Sequence, residues 1–76
     1  MQTLDQISPG HACVIHSIGG PPALVQRLVE LGIMEGERLY VIARAPLGDP
    51  IEIESPLTRL SLRAAEAATI QVTPTN

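Results

Sequence analysis

Glycine and proline interrupt this sequence so often that only short helices and strands fit between them. Six glycines and seven prolines occur among the 76 residues, most of them clustered near 19–22, 32–36 and 46–50. Glycine adopts conformations that end regular structure, and proline removes a backbone hydrogen-bond donor. A chain this short can bury only one core. We therefore expect a single domain over 1–76, with a frayed tail at 73–76.

Five of the intervals alternate apolar and polar residues, as strands do. In "IEIES", Ile51 and Ile53 alternate with Glu52 and Glu54, which is typical of a strand with one solvated face. The predicted strands are "HACVIHSI" at 11–18, "RLYVIARA" at 38–45, "IEIES" at 51–55, "RLSLR" at 59–63 and "TIQV" at 69–72.

The stretch "ALVQRLVEL" has helical spacing instead. Leu24, Leu28 and Leu31 share one side of the helical wheel. Val25 and Val29 widen that side to an apolar arc of about 160°, more than the roughly 100° that a core-facing helix needs. The valine flank is therefore expected to stay uncovered. Five strands and one helix predict a mainly β fold, a small, partly open barrel with one inserted α-helix.

Composition excludes several functions. Tyr40 is the only aromatic residue, so the chain has no platform for stacking bases and no aromatic groove for proline-rich ligands. Its five positively charged side chains are all arginine and the net charge is −3, which provides no basic patch for nucleic acid. No nucleophile elbow or phosphate loop occurs, and Glu52 and Glu54 are explained by a solvated strand face. We expect no enzymatic activity.

A lone cysteine, Cys13, cannot form an internal disulfide, which favours a reducing compartment. The sequence shows no signal peptide and no apolar run long enough to span a membrane. We therefore expect a cytoplasmic protein that does not insert into the membrane.

Three potential metal ligands, His11, Cys13 and His16, lie close together in the sequence. Strand alternation places His11 and Cys13 on one face and His16 on the other, so they converge only if a bulge intervenes. We expect no intrinsic metal site and no cofactor. Compared with an intrinsic site, these residues are better suited to bind an adventitious zinc ion that bridges two molecules. Such bridging would give a weak or metal-bridged homodimer.

The connector "RAPLGDP" combines rigid residues with one large apolar side chain, Leu47. Pro46 presets the backbone for the first turn position, and Gly48 can adopt positive φ. Two interpretations of Leu47 stay open at this point. It either folds back to cover the end of the barrel, or it extends from a preordered turn as an anchor for a partner.

Three stretches resemble ferrous iron transport protein A, the FeoA family. They are "LVELGIMEGE", "YVIARAPLGDPIEIE" and "LSLRAAEAATIQV", which follow in the family's order and cover nearly the whole chain. The sequence departs from the family at Glu35, where a proline is usual, and at "SPLT", where many members have a glycine turn. These departures affect the geometry of two loops.

The resemblance implies an SH3-like barrel and a cytosolic accessory role in ferrous iron uptake, at the inner face of the membrane, through contact with the GTPase transporter FeoB. It also favours the anchor interpretation of Leu47. We expect one continuous contact surface. It would consist of Val25, Val29, Leu31, Gly32 and Met34 on and after the helix, and of Pro46, Leu47, Gly48, Asp49 and Pro50 in the turn.

The alternative function is a protein that handles or senses Fe(II) itself, through His11, Cys13, His16 and carboxylates. Replacement of both histidines separates the two hypotheses. A protein that acts by binding FeoB would keep its function, whereas a protein that binds Fe(II) itself would lose it.

Overall fold

The strands form one antiparallel sheet that curls into a small barrel. A computed structural model describes residues 1–75. The elements are β1 (Gln2–Thr3), a 3₁₀ turn (Leu4–Gln6), β2 (Ala12–Ile18), α1 (Pro22–Glu30), β3 (Arg38–Arg44), β4 (Ile51–Glu54), β5 (Arg59–Leu62), α2 (Ala64–Ala67) and β6 (Ile70–Thr75). In the sheet they follow the order β1-β6-β2-β3-β4-β5. The mainly β prediction is confirmed.

Two β-bulges bend the sheet. The register shifts between Ile15 and Ser17, where β2 pairs with β6, and between Val41 and Ala43, where β3 pairs with β4. A bulge adds an unpaired residue to one strand and increases the local twist. These two bends let a sheet of short strands wrap around a single core.

The core contains no aromatic ring. Its buried side chains are Leu4, Ile7, Cys13, Ile15, Leu24, Leu28, Ile33, Leu39, Val41, Ile51, Ile53, Leu62, Ala67, Ile70 and Val72. Each fully buried Leu, Ile or Val contributes about 1.5–3 kcal/mol relative to an exposed one. The branched aliphatic residues of the alternating segments therefore supply the packing that larger proteins obtain partly from Phe and Trp.

The structure corrects the sequence-based description at both termini. A two-residue strand, β1, precedes the first predicted strand and pairs with β6. The prediction of a frayed tail is wrong for residues 73–75, because β6 continues through Thr75 and pairs with the start of β2. Pairing with β2 gives these residues the partners that an isolated tail would lack. Residue 76 lies outside the described residues.

Helix α1 ends in a Schellman motif. Gly32 has φ +83°, its N–H donates to the carbonyl of Val29, and the N–H of Ile33 donates to the carbonyl of Leu28. The two side chains expected to meet across this motif, Leu28 and Ile33, are both fully buried. The end of the helix is thus fastened to the core, and the chain leaves it in a defined direction.

This helix end gives a test of the fold. Replacement Gly32→Ala should destabilise the protein by about 1–2 kcal/mol, because a Cβ is unfavourable at positive φ. The added Cβ atom would also lie only 3.1 Å from the Cδ1 atom of Leu57. Thermal unfolding should show a midpoint lower by roughly 4–8 °C per kcal/mol in a domain of this size.

Gly19→Ala is the matched control, since a Cβ there meets only ordinary van der Waals contact, 3.5 Å from the carbonyl oxygen of Thr69. An unchanged midpoint for Gly32→Ala would contradict the assignment of this helix end.

Candidate partner-binding surface

An apolar groove lies beside α1. It has a volume of about 360 Å³ and is lined by Ile18, Val25, Val29, Met34 and Glu35. Ile18 ends β2, the two valines lie on α1, and Met34 and Glu35 belong to the loop that leads into β3. Three separate segments therefore meet at the groove, and the Schellman motif sets the position of the loop.

The groove is open because α1 has a wider apolar face than the barrel can cover. Leu24 and Leu28 are buried in the core, whereas Val29 is 45% exposed and Met34 is 46% exposed. The expected uncovered valine flank is present only in part, because Val29 is exposed whereas Val25 is half-buried. Exposed apolar residues that are contiguous, rather than scattered, mark interaction sites.

The connector between β3 and β4 presents Leu47 to solvent. The Leu47 side chain is 97% exposed, so the interpretation in which it covers the end of the barrel is wrong. Gly48 has φ +87°, and its N–H donates to the carbonyl of Ala45 at 2.7 Å, which closes a β-turn with Pro46 and Leu47 at its centre. Within residues 1–75, no strand or helix covers the tip of this turn, and the leucine extends into solvent.

Asp49 fixes the base of this connector. Its Oδ1 atom accepts a hydrogen bond from the backbone N–H of Ala64, the first residue of α2, at 2.9 Å. A second bond joins the N–H of Ala45 to the carbonyl of Pro50. Asp49 therefore has a structural role within the chain, in addition to the partner contact predicted for it.

The groove and the Leu47 turn form two separate patches. None of residues 46–50 lines the groove. The groove loop precedes the start of β3 and the Leu47 turn follows its end, and a seven-residue strand spans roughly 20 Å. The single continuous surface expected from the sequence is therefore corrected to two patches at opposite ends of β3.

A second exposed leucine, Leu57, lies at the groove end of the barrel and was missed by sequence reasoning. It is 80% exposed in the β4–β5 connection, next to the end of α1 at Gly32. The buried Ser55 hydroxyl accepts hydrogen bonds from the N–H groups of Leu57 and Thr58 at 3.3 and 3.2 Å. The signal that could have found it is a Pro-Leu pair, repeated at 46–47 and 56–57.

The three potential metal ligands are not brought together. Cys13 is fully buried, whereas His11 and His16 are exposed. The bulge that convergence requires does occur in β2, between Ile15 and Ser17. Even so, no three His, Cys, Asp or Glu side chains within 1–75 are arranged to hold a metal ion.

Potential catalytic groups are also occupied by structural contacts. The Ser17 hydroxyl donates to the Gln71 side chain at 3.1 Å. Glu52 and Glu54 both form salt bridges with Arg59, at 3.8 and 3.2 Å. Burial raises the pKa of the Cys13 thiol to about 11, so it is protonated at neutral pH and is a poor nucleophile.

Comparison with known proteins agrees with this architecture. A protein-family model described as the FeoA domain matches residues 2–74. The chain belongs to the FeoA family. It is 35% identical to the FeoA protein of Chlorobium tepidum, whose solution structure superposes with a TM-score of 0.94 over 99% of this chain and 71% of that one.

A crystal structure of FeoA from Stenotrophomonas maltophilia in complex with zinc is 30% identical, with a TM-score of 0.81 over 95% of this chain and 89% of that one. That protein is described as a procaryotic SH3 domain protein and is linked to ferrous iron transport. The SH3-like barrel expected from the resemblance is therefore confirmed for this FeoA chain.

A Porphyromonas gingivalis protein described as a fusion of Fe(2+) transport protein A with the Fe(2+) transporter FeoB is 32% identical over 69 residues. The match covers 91% of this chain and 8% of that relative's length. The FeoA family is thus linked to ferrous iron transport. Within residues 1–75 no helix has the length and apolar character needed to cross a bilayer.

The burial of Cys13 predicts its reactivity. At pH 8 the folded protein should react with a disulfide reagent such as dithionitrobenzoate at least tenfold more slowly than the guanidinium-unfolded chain, because the thiol is buried and its pKa is raised to about 11. The control is His16→Cys in a Cys13→Ala background, which places a thiol at an exposed position of the same strand. Equal rates for folded and unfolded protein would contradict the burial of Cys13.

The hydrogen bond from Ala64 to Asp49 predicts a difference between two variants. Asp49→Ala removes the acceptor and should cost about 0.5–2 kcal/mol, as other losses of a helix-capping acceptor do. Asp49→Asn keeps an oxygen in the same place and should cost less. Chemical denaturation of both variants measures the difference. Equal stabilities would show that this bond does not hold the connector.

Proposed function

We propose that this protein is a non-enzymatic accessory module of ferrous iron uptake, which regulates the membrane GTPase transporter FeoB by binding to it. The proposed location is the cytoplasm, at the inner face of the membrane. The observation that carries the proposal is the pair of preformed apolar patches, the groove beside α1 and the Leu47 turn, on a domain whose potential catalytic groups are engaged in structural contacts.

The nature of the patches supports a protein partner. Hydrogen bonds within the Leu47 turn and the Schellman motif beside the groove hold both patches in place before binding, so little conformational entropy remains to be lost. The net charge of −3 does not suit a nucleic-acid partner. The residues proposed to contact the partner are those predicted from the sequence. Leu57, which lies in the β4–β5 connection next to the end of α1, is added to them.

The distance between the patches fits a folded partner. They lie roughly 20 Å apart, and a standard interface buries about 800 Å² on each partner, which is wide enough to include both. A folded domain, such as the soluble GTPase domain of FeoB, can cover both at once.

The choice of FeoB as the partner is supported by the Porphyromonas gingivalis relative, in which FeoA and FeoB sequences occur in one fusion protein. Fusion holds two modules at a high effective concentration, in the millimolar range for short linkers, which strengthens a weak contact between them.

An isotope-edited NMR titration with the soluble GTPase domain of the cognate FeoB, with and without nucleotide, tests the proposal. Shifts should appear at the groove residues, at 31–34 and at 46–50. Val29→Asp and Leu47→Asp should each weaken binding at least tenfold, since each buries a charge in an apolar contact. The thermal midpoint should stay nearly unchanged for Leu47→Asp, whose side chain is 97% exposed, and should fall modestly for Val29→Asp, which is 45% exposed.

Ala23→Asp is the matched control for Val29→Asp, because it adds the same charge at an exposed position about 120° away around α1. A His11→Ala, His16→Ala double variant should bind normally, which separates this function from Fe(II) handling. Absence of shifts at millimolar GTPase domain, or shifts confined to other surfaces, would refute the proposed contact.

A further inference from the structure

Met34 is the one sulfur-containing residue that lines the groove beside α1. The other residues of the groove wall are Ile18, Val25, Val29 and Glu35. Peroxides convert a methionine thioether into a sulfoxide, which is polar where the thioether was apolar. The groove therefore contains one group whose polarity can change without any change in the sequence.

The Met34 side chain is accessible to small molecules in solution, since it is 46% exposed. The chain contains two other sulfur atoms, in Cys13 and Met1. Cys13 is fully buried and its pKa is raised to about 11, so it provides little thiolate for an oxidant. Met1 is exposed but does not line the groove. Met34 thus combines access to an oxidant with a place in the apolar patch.

The backbone on both sides of Met34 is fastened to the barrel. Ile33, directly before it, is fully buried in the core. The Met34 carbonyl accepts a hydrogen bond from the N–H of Glu37 at 3.0 Å, and the N–H of Gly36 donates to the carbonyl of Ile15 at 2.9 Å. The loop therefore does not carry the side chain away from the groove when its sulfur changes.

We propose that Met34 is an oxidation site, and that conversion of its thioether to the sulfoxide by a peroxide lowers the affinity of the groove for apolar partners. The sulfur attacks one oxygen of hydrogen peroxide, the O–O bond breaks and the S–O bond forms. The proton of the transferred oxygen passes to the departing hydroxide, which leaves as water. The sulfur loses two electrons and the peroxide gains them. A methionine sulfoxide reductase reverses the change.

The sulfoxide weakens the groove in either position that it can take. Held against Val25 and Val29, its oxygen finds no hydrogen-bond donor among the side chains of the groove wall, which opposes a dry contact with a partner. Turned toward water, the side chain no longer packs beside the valines, so a partner buries less apolar area. The Leu47 turn contains no sulfur and keeps its apolar character.

The consequence for iron uptake rests on the proposed function, because it requires that the groove binds FeoB. Peroxide then weakens this contact, and reduction of the sulfoxide restores it. Ferrous iron reduces hydrogen peroxide to hydroxyl radical, which damages proteins and nucleic acids. Regulation of ferrous iron uptake would thus respond to the oxidant that makes ferrous iron harmful.

The first measurement contains no FeoB, so its outcome does not depend on the proposed function. The full chain is treated with hydrogen peroxide, and tandem mass spectrometry follows Met34 and Met1 separately. Met34 in the folded protein should react within about fivefold of its rate in the guanidinium-unfolded chain, because its side chain is nearly half exposed. Met1 is the internal reference for the activity of the reagent. A slower reaction of Met34 than this would overturn the proposal.

NMR spectra of the oxidised protein test whether the groove changes. The methyl groups of Val25 and Val29 should shift, whereas the amides of 46–50 should not, and circular dichroism should show a retained fold. Met34→Leu is the matched control, because leucine preserves the apolar volume and has no sulfur. Its valine methyls should stay unchanged after peroxide treatment, although Met1 is still oxidised. Unchanged valine methyls in the oxidised unaltered protein would overturn the proposal.

Titration with the soluble GTPase domain of FeoB separates the two proposals. Oxidation should weaken binding of the unaltered protein by about tenfold, and sulfoxide reductase should restore it. Met34→Leu should bind equally before and after peroxide treatment. Equal affinities of the oxidised and reduced unaltered protein would overturn the effect of oxidation and leave the proposed function intact. Absence of binding by both forms would refute the proposed function together with this consequence, whereas the first two measurements still decide whether oxidation of Met34 alters the groove.

Discussion

The end of α1 at Gly32 is the constraint on which the functional surface depends. Positive φ at this glycine turns the chain sharply, so that Ile33 enters the core beside Leu28 while Met34 and Glu35 emerge at the surface. If the helix continued, these residues would rotate away from Val25 and Val29. The groove is therefore a consequence of where one helix stops.

The aliphatic composition links stability to interaction. Leu, Ile and Val must fill the core of this barrel, because the chain has a single aromatic residue and that residue is partly exposed. The same residue types then remain on the surface wherever a short helix or a tight turn has more apolar positions than the barrel can cover. Val29, Leu47 and Leu57 are such positions, and the turns that carry the two leucines are hydrogen-bonded at their bases.

Sequence reasoning about the candidate site succeeded where a local pattern was sufficient. The wide apolar arc of α1 indicated that Val29 would be uncovered, and the proline and glycine of the 46–50 turn indicated a rigid connector. It overlooked Leu57, whose Pro-Leu pair has no glycine beside it to mark an exposed turn. It also overlooked β1, which is too short to show alternation and exists because β6 provides a partner.

The sequence by itself determined the fold class, five of the six strands, the long helix and the family, because these follow from residue periodicity, turn chemistry and a specific order of motifs. Only the tertiary structure decided that Leu47 is exposed, that Asp49 bonds to α2, and that the groove and the turn are separate. Burial and distance between segments depend on how the bulged sheet curves and pairs. No local window of sequence contains that information, since the contacts responsible join residues far apart in the chain.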